Sequence, residues 1–502
     1  MALYLPPWGL IDEEQHLDYI RSLAEEGTVP VASRTPLSPQ IIESLFRSHR
    51  WSTFHWPTPP SNDPADLGLE GYSYEGFQPP LYYVLMAPIF RLLPGGVLAS
   101  LFALRLVAVA LSLVTVWITW RIASDIFSGN ALLSLLPPLI LVLLPERTMA
   151  ASRVNNDVLL EPIAAAFFWV AVRVLLHGFT VRRSLALGLF LGLGFLTKTS
   201  MAILVLALPC ILWFRRHDPG LMTKTLAAVA PATALGAPLI LRNLRLYGDW
   251  SGFAGFRVMA NFAGPQRSLS ALVTAAQNLF GNFWVVWWQG AEVGSWPGLT
   301  LARLLLAALC LASAVGLWRS ARTPSGSVVR EPLPILGLAL VLVFGCGLAV
   351  LWAYFGGEVP VIQGRFLLPV MAPIVLLLGY GLWQAPGRAI SIPLLLGLLI
   401  AVDLADFFGN LLPWFYLSSQ FFHAGQPLVM PALTASQAWE TAWPAFLSDK
   451  PSLLRPWLWM VLPIELAALA TVGVAFRRLA IQSRGAAFSS DRSPAPIDMP
   501  QS

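Results

Sequence analysis

Apolar runs long enough to cross a membrane recur along the chain, and no other feature restricts its fold so tightly. They fall near 99–121, 131–145, 157–177, 184–198, 200–214, 222–242, 299–318, 333–355, 366–384, 389–408 and 456–476. A bilayer core about 30 Å thick needs about 20 apolar residues of helix to cross it. Within that core every backbone N–H and C=O must be satisfied inside the segment, so such runs are helices. The sequence therefore predicts an all-α, polytopic transmembrane helical bundle of about 11 spans. Composition agrees: 56% of residues are hydrophobic and 12% charged, about half the charged fraction of a soluble domain. The formal charge of +5 does not call for nucleic acid as a partner, because arginines gathered at helix ends serve membrane topology. Cys210, Cys310 and Cys346 all lie in apolar runs, which implies neither a disulfide framework nor a metal cluster.

Basic residues set the expected orientation. Arg121, Arg182 and Arg183, Arg215 and Arg216, Arg319, Arg322 and Arg330, Arg388, and Arg477 and Arg478 fall on alternate connections. The positive-inside tendency assigns that side to the cytoplasm. The opposite face then receives the acidic segment 1–78 and the connections near 146–156, 243–298 and 409–455, with "GGEVPVIQGR" between the last two. The segment "QPPLYYVLMAPIFRLLPGG" is apolar but short and bounded by proline, as expected of a helix lying at the interface. Three regions follow: 1–98, an outer loop with interfacial helices; 99–476, a multi-span domain; and 477–502, a cytoplasmic tail whose Ser, Ala, Pro and charges predict disorder.

The stretch "LIDEEQHLDYIRSLAEEGTVP" admits two readings. Asp12 with Gln15 resembles a capping arrangement, Glu13 and Glu14 suit the dipole of a helix start, and Gly27 before Pro30 is a stop. Asp12 and His16 are also four residues apart, hence on one helical face. Asp157 raises the same question, as a span's N-cap or as a site residue. Glu161, one turn deeper, needs a partner in the membrane, and Arg153 and Arg147 are the candidates. Lys198, one of three lysines, reads as a snorkelling side chain or as an anion ligand. Arg365 opens a span on the outer side, where the positive-inside tendency disfavours arginine.

In this order and sidedness the motifs resemble a known family. "GLIDEEQHLDYIRSLAEEGTVP", "EGFQPPLYYVLMAP", "SRVNNDVLLEP", "GFLTKTSM", "LRNLRLYGDWSGF" and "IQGRFLLPVMAPIVLLLGYGL" are similar to segments of the GT-C membrane glycosyltransferases. The match is to the family 39 protein mannosyltransferase and aminoarabinose-transferase-like group and its bacterial relatives, and it extends to about residue 385. The resemblance implies an integral enzyme of the plasma (inner) membrane, surrounded by lipid, with its C-terminus in the cytoplasm. It takes sugar from a polyprenyl-phosphate donor and passes it to a glycan, lipid or protein acceptor on the extracytoplasmic face. It also implies Asp12 as catalytic base, with Glu13 beside it and Asp157 as a second acid. That chemistry is sound, since a hydroxyl nucleophile needs a carboxylate to take its proton and a leaving phosphate needs fixed cations or N–H donors. Arg365, whose planar fork suits phosphate, is the first phosphate ligand, followed by Arg242 and Lys198. His16, Gln78, Tyr82, Asn156 and Gln363 complete the substrate-binding set, although Gln78 and Tyr82 in "FQPPLYY" also read as interface anchors. His16 with Glu13 or Glu75 is the one combination considered for a divalent metal ion. Its spacing matches no recognised motif, so the metal stays unassigned and no cofactor is certain.

Two further expectations follow. Members of this family begin with a helix crossing outward before the "DE" pair, yet eleven residues precede Asp12. The usual first span is therefore expected upstream, or the chain is an inactive truncation. The alternative function is a transporter or flippase of lipid-linked saccharides, with Arg105, Asp403, Asp406 and Glu465 as mid-span charges. The concentration of acids in an outer segment, and the lack of a visible internal repeat, favour the enzyme.

Overall fold

Regular structure among the described residues is helical, apart from one isolated antiparallel bridge between Pro36 and Tyr72. In the computed structural model the described residues are 2–8, 12–48, 71–93, 95–254, 268–281, 299–322, 332–355, 364–406 and, with gaps, 435–478, together with Leu67 and Tyr416. Gln363, the aromatic run 282–290 and most of 409–434 lie outside them.

The outer segment contributes α1 (Glu13–Arg21), α2 (Pro39–Arg47) and α3 (Leu81–Leu92), with a 3-10 turn over Tyr74–Phe77. The membrane domain follows as α4 (Gly96–Ile126), α5 (Ala131–Leu143), α6 (Pro145–Ala151), α7 (Asp157–His177), α8 (Val181–Thr197), α9 (Ala207–Phe214), α10 (Leu221–Tyr247), α11 (Leu269–Gly281), α12 (Leu299–Arg322), α13 (Pro332–Phe355), α14 (Met371–Gln384) and α15 (Arg388–Asp406). Helix α16 (Ala435–Ser448) lies beyond them. Among the described residues seven helices are long and apolar enough to span, or eight if the bent pair α5 and α6 is one span. The chain is an integral membrane protein of all-α fold. The shorter predicted segments 184–198 and 200–214 are the 17-residue α8 and a 3-10 stretch leading into α9. The expected interfacial segment is α3, twelve residues long and too short to cross.

The local breaks have sequence causes. Between α5 and α6 the chain bends by 68°. Leu144 there is extended at φ −71°, ψ 116°, the conformation that a following proline imposes. Close helix contacts rest on small residues, as is usual where lipid supplies no hydrophobic drive between helices. A Cβ on Gly188 of α8 would lie 1.9 Å from the Ala228 carbonyl oxygen of α10, and one on Gly316 of α12 would lie 1.9 Å from the Gly381 carbonyl oxygen of α14.

Two spans occupy the middle of the bundle. The stretches Asp157–His177 and Gly364–Gln384 are each 78% buried, against 17–39% for the other candidate spans. Asp157 and Arg365 therefore stand at the starts of the two most enclosed spans. The main apolar core, including Leu160, Phe167, Phe168, Val375 and Leu376, lies along these same helices. A second cluster joins Trp8, Leu17, Tyr19, Ile20, Tyr82 and Tyr83 to Leu101, Leu104 and Val158, seating the outer segment on α4 and α7.

Candidate active site

Asp12 precedes α1 in a left-handed conformation, φ +70°, and its side chain makes no capping hydrogen bond. Asp tolerates this region better than most residues, at a small backbone cost. Its carboxylate points away from the helix. Oδ1 accepts from the Tyr74 hydroxyl at 2.7 Å and Oδ2 from Arg365 Nη2 at 2.8 Å. Burial alone lifts this carboxyl, but the Arg365 charge and the two hydrogen bonds outweigh it and hold it below the ordinary aspartate value. Asp12 is thus an ionised acceptor at neutral pH.

Glu13, one residue on, has a different task. It is fully buried, and both its oxygens are occupied. Oε1 accepts from Arg105 Nε at 2.8 Å and from the Val154 N–H at 2.9 Å, and Oε2 accepts from Arg105 Nη2. Arg105, also fully buried on α4, donates its remaining bonds to the carbonyls of Leu5 and Pro6, each at 2.8 Å, and of Ala2 at 3.4 Å. Glu13 therefore ties the outer segment to α4 and to the 152–156 turn, and is no free acid beside Asp12.

The turn between α6 and α7 supplies the opposite wall. Asn155 Oδ1 accepts from the Asp157 N–H at 2.8 Å, and Asn155 Nδ2 donates to the Ala150 carbonyl at 2.9 Å, which pins the turn. Asn156 donates to Gln78 Oε1 at 3.1 Å and to the Thr197 carbonyl at 3.2 Å. Asp157 Oδ1 accepts from Lys198 Nζ at 2.6 Å. Glu161 is paired with Arg147, Nε to Oε1 at 2.8 Å, which leaves Arg153 of the two arginines expected as partners.

His16 shares a hydrogen bond through Nδ1 with the Tyr83 hydroxyl at 2.8 Å, and Tyr83 stacks on Tyr19 at 3.7 Å between centroids. Burial drives the imidazole down to about 3, so it is neutral. Glu75 is pushed up to about 8 by burial and by the Asp12 charge, so it keeps its proton at neutral pH. Two carboxyls in one buried cluster are thus held in opposite protonation states. Among the described residues no group of three or more His, Cys, Asp or Glu side chains could hold a metal ion.

The structure brings Asp12, Gln78, Asn156, Asp157, Lys198 and Arg365 into one buried network, with His16 at its edge. Tyr82 is buried against Tyr83, its ring 5.4 Å away and edge-on. Arg242 stands apart: Nη2 donates to the carbonyls of Pro30 and Gly76 at 3.3 and 3.2 Å, bracing the outer segment. Sequence reasoning missed Tyr74, Arg153 and the bracing role of Arg105. Nothing marks Tyr74 in the sequence. Arg153 carries the same signal that singled out Arg365, an arginine on the face where few belong.

Known proteins can now be compared. A family model described as dolichyl-phosphate-mannose-protein mannosyltransferase matches residues 78–241. The crystal structure of ArnT from Cupriavidus metallidurans bound to undecaprenyl phosphate matches with a TM-score of 0.50 at 16% identity, over 96% of this chain and 72% of that one. The apo structure of the same protein aligns over 89% of this chain and 82% of that one at 14% identity, with a TM-score of 0.33. No curated protein matches. The chain shares the fold of the first of these structures. The resemblance to the GT-C membrane glycosyltransferases is thus carried by the family model and by the fold, beside the motifs.

Two outcomes follow from this geometry. Removing one partner of a buried ion pair leaves an uncompensated charge, so Arg105→Met should destabilise the protein by about 3–5 kcal/mol. The Arg105→Met, Glu13→Gln double variant should recover much of that loss. A double-mutant cycle on melting in detergent reads this coupling, and additive effects would break the assignment of the pair as one unit. His16, with its folded value below the unfolded one, favours folding fully above pH 6.5 and loses that contribution as pH falls towards 3. Between pH 7 and pH 5 the melting temperature of the wild type should therefore drop more than that of His16→Gln. Parallel curves would show that His16 titrates normally.

Proposed function

We propose that the protein is a membrane glycosyltransferase that takes sugar from a polyprenyl-phosphate donor, with inversion at the anomeric carbon and Asp12 as general base. One observation carries the reading: the buried cluster is left with both kinds of open polar atom. Asn156 Oδ1 and Asp157 Oδ2 are buried acceptors, Arg153 Nε and Nη2 and Arg365 Nε are buried donors, and Glu75 Oε2 belongs to a carboxyl that keeps its proton, all without hydrogen-bond partners among the described residues. Buried polar atoms are kept open where a ligand satisfies them. Sugar hydroxyls answer the acceptors and phosphate oxygens the donors. The family-model match supports this reading, as does the fold shared with a protein crystallised with undecaprenyl phosphate.

In the proposed step the acceptor hydroxyl oxygen attacks the anomeric carbon and its proton passes to Asp12. The bond from that carbon to the phosphate oxygen breaks, and its electron pair leaves with the lipid phosphate. Arg365 bridges the two ends of this exchange, with Nη2 on the base and Nε open towards the cluster. Lys198 holds Asp157 in place to orient the sugar. Segment 1–98 carries the base and 99–476 the membrane domain, so the site forms only where the two meet. The site faces the extracytoplasmic side of the plasma membrane and the tail 477–502 the cytoplasm. The acceptor is a glycan, lipid or protein hydroxyl.

Asn keeps the backbone tolerance and shape of Asp but cannot take a proton. Asp12→Asn should therefore lower release of labelled sugar from a polyprenyl-phosphate sugar by a factor of about 10² to 10⁴ while donor binding survives, and melting should fall because the Arg365 charge loses its counter-charge. Full turnover in that variant would remove Asp12 from the chemistry. The sidedness has its own test. In intact cells an impermeant thiol reagent should modify a cysteine placed at Ser270 but not one at Ser489. The reverse labelling would put the site on the cytoplasmic face and end the proposed orientation.

A further inference from the structure

We propose that Arg153 binds the phosphate of the lipid carrier, gripping two of its oxygens with the Nε and Nη2 edge of the guanidinium. The inference rests on the proposed function and assigns within it a residue that the sequence offered only as a partner for Glu161.

The cations around the cluster differ in what remains open. Arg105 is saturated by Glu13 and the carbonyls of residues 5 and 6. Lys198 is held on Asp157 at 2.6 Å, and Arg365 on Asp12 at 2.8 Å. Arg153 is 4% exposed, and its Nε and Nη2 have no hydrogen-bond partner among the described residues. These two nitrogens form the edge that receives a pair of oxygens side by side. Arg105 shows that edge in use in this same molecule, with Nε on Glu13 Oε1 and Nη2 on Oε2. Arg153 presents the same fork with no carboxylate on it.

Position and charge agree with an anion. The Arg365 charge and the carboxylates of Glu146, Asp157 and Asp12 all act on Arg153, which places it within the electrostatic reach of the cluster. Burial and Arg365 both disfavour its charged form, and an anion on the fork offsets both. The backbone is already fixed: Val154 N–H is held by Glu13, and Asn155 ties both sides of the turn. A buried fork without its partner is costly, so a preorganised one is retained where an anion arrives. As the sugar leaves, the phosphate goes from a diester with one negative charge to a monoester that can carry two. A fork on its free oxygens therefore binds more strongly as the bond breaks.

The test uses the full chain in detergent, with polyprenyl phosphate as probe and polyprenol and inorganic phosphate as controls. The wild type should bind polyprenyl phosphate and discriminate against polyprenol, and inorganic phosphate should compete only weakly. Arg153→Gln should weaken polyprenyl phosphate binding by about ten- to a hundredfold, the loss typical of a charge-assisted hydrogen bond. Arg153→Lys keeps the charge without the fork and should fall between. Wild-type affinity should also rise from pH 5 to pH 7 as the monoester takes its second charge near pH 6, and the rise should flatten in both variants. Where Arg153→Gln fails to fold, a normally melting Arg153→Lys decides by the same two readouts. Discrimination in the wild type with unchanged affinity and pH profile in the variants overturns Arg153 and leaves the proposed function standing. No discrimination between polyprenyl phosphate and polyprenol in the wild type overturns that function and this inference together. Competition by inorganic phosphate as strong as by the lipid overturns the lipid source and leaves a plain anion site.

Discussion

The buried pair of Glu13 and Arg105 is the interaction on which the rest of the site depends. The two side chains are fully enclosed, and neither is solvated in its partner's absence. Arg105 sits two turns into α4, and Glu13 reaches across to Val154 on the far wall. One carboxylate therefore fixes the relative position of three elements: α1 with Asp12, the long helix α4, and the turn that carries Arg153, Asn156 and Asp157. Carbonyls of the first residues fill the remaining donors of Arg105, and Leu5 also accepts from Lys450 Nζ at 2.8 Å. The N-terminal strap thus lies between two buried cations, and its backbone satisfies both.

A bundle in lipid has few ways to keep charge, and pairing is the one used for most of the buried acids here. Arg147 holds Glu161 at 2.8 Å and donates to Ser112 of α4, so the glutamate one turn into the central span α7 is neutralised within the bundle. Lys198 holds Asp157, and Arg365 holds Asp12. Each of the last two pairs is incomplete: Asp157 keeps one open oxygen and Arg365 one open nitrogen. The pair of Glu13 and Arg105 differs from these two, since all of its hydrogen bonds are made within the fold. Glu13 and Asp12, neighbours at the start of α1, differ in what they bind rather than in how many atoms stay open. Asp12 gives its two oxygens to a tyrosine and an arginine of the site, and Glu13 gives all of its capacity to the fold.

How much was legible follows from what each signal measures. Hydropathy reports length and apolarity, so the long spans appear close to their predicted limits, and the Pro-bounded segment forms α3, too short to cross. It does not report bends, and the 68° break at Leu144–Pro145 is hidden within one apolar run. The cap reading of Asp12 failed for a conformational reason: a residue at φ +70° directs its side chain away from the N–H groups it was expected to cap. The family resemblance set Glu13 beside Asp12, whereas the hydrogen bonds of Glu13 run to Arg105 and to the Val154 N–H. Its partner is 92 residues away, and no local pattern announces such a contact. Tyr74 could not be found at all, because a tyrosine near an interface is ordinary.

The positive-inside tendency is a local signal whose limits are instructive. It flags any arginine or lysine on the sparse side as unusual, and Arg147, Arg153, Lys198, Arg242 and Arg365 all qualify on the predicted topology. What it cannot see is the partner. Arg242 braces carbonyls, Arg147 neutralises a glutamate, Lys198 and Arg365 hold the acids of the site, and Arg153 alone among these five keeps the bidentate edge of its fork open among the described residues. Misplacement identifies a cation that the fold needs; only the occupancy of its donors separates one that braces the structure from one that waits for a ligand. In a membrane protein that distinction is unusually clean, because lipid offers no water to satisfy an idle donor.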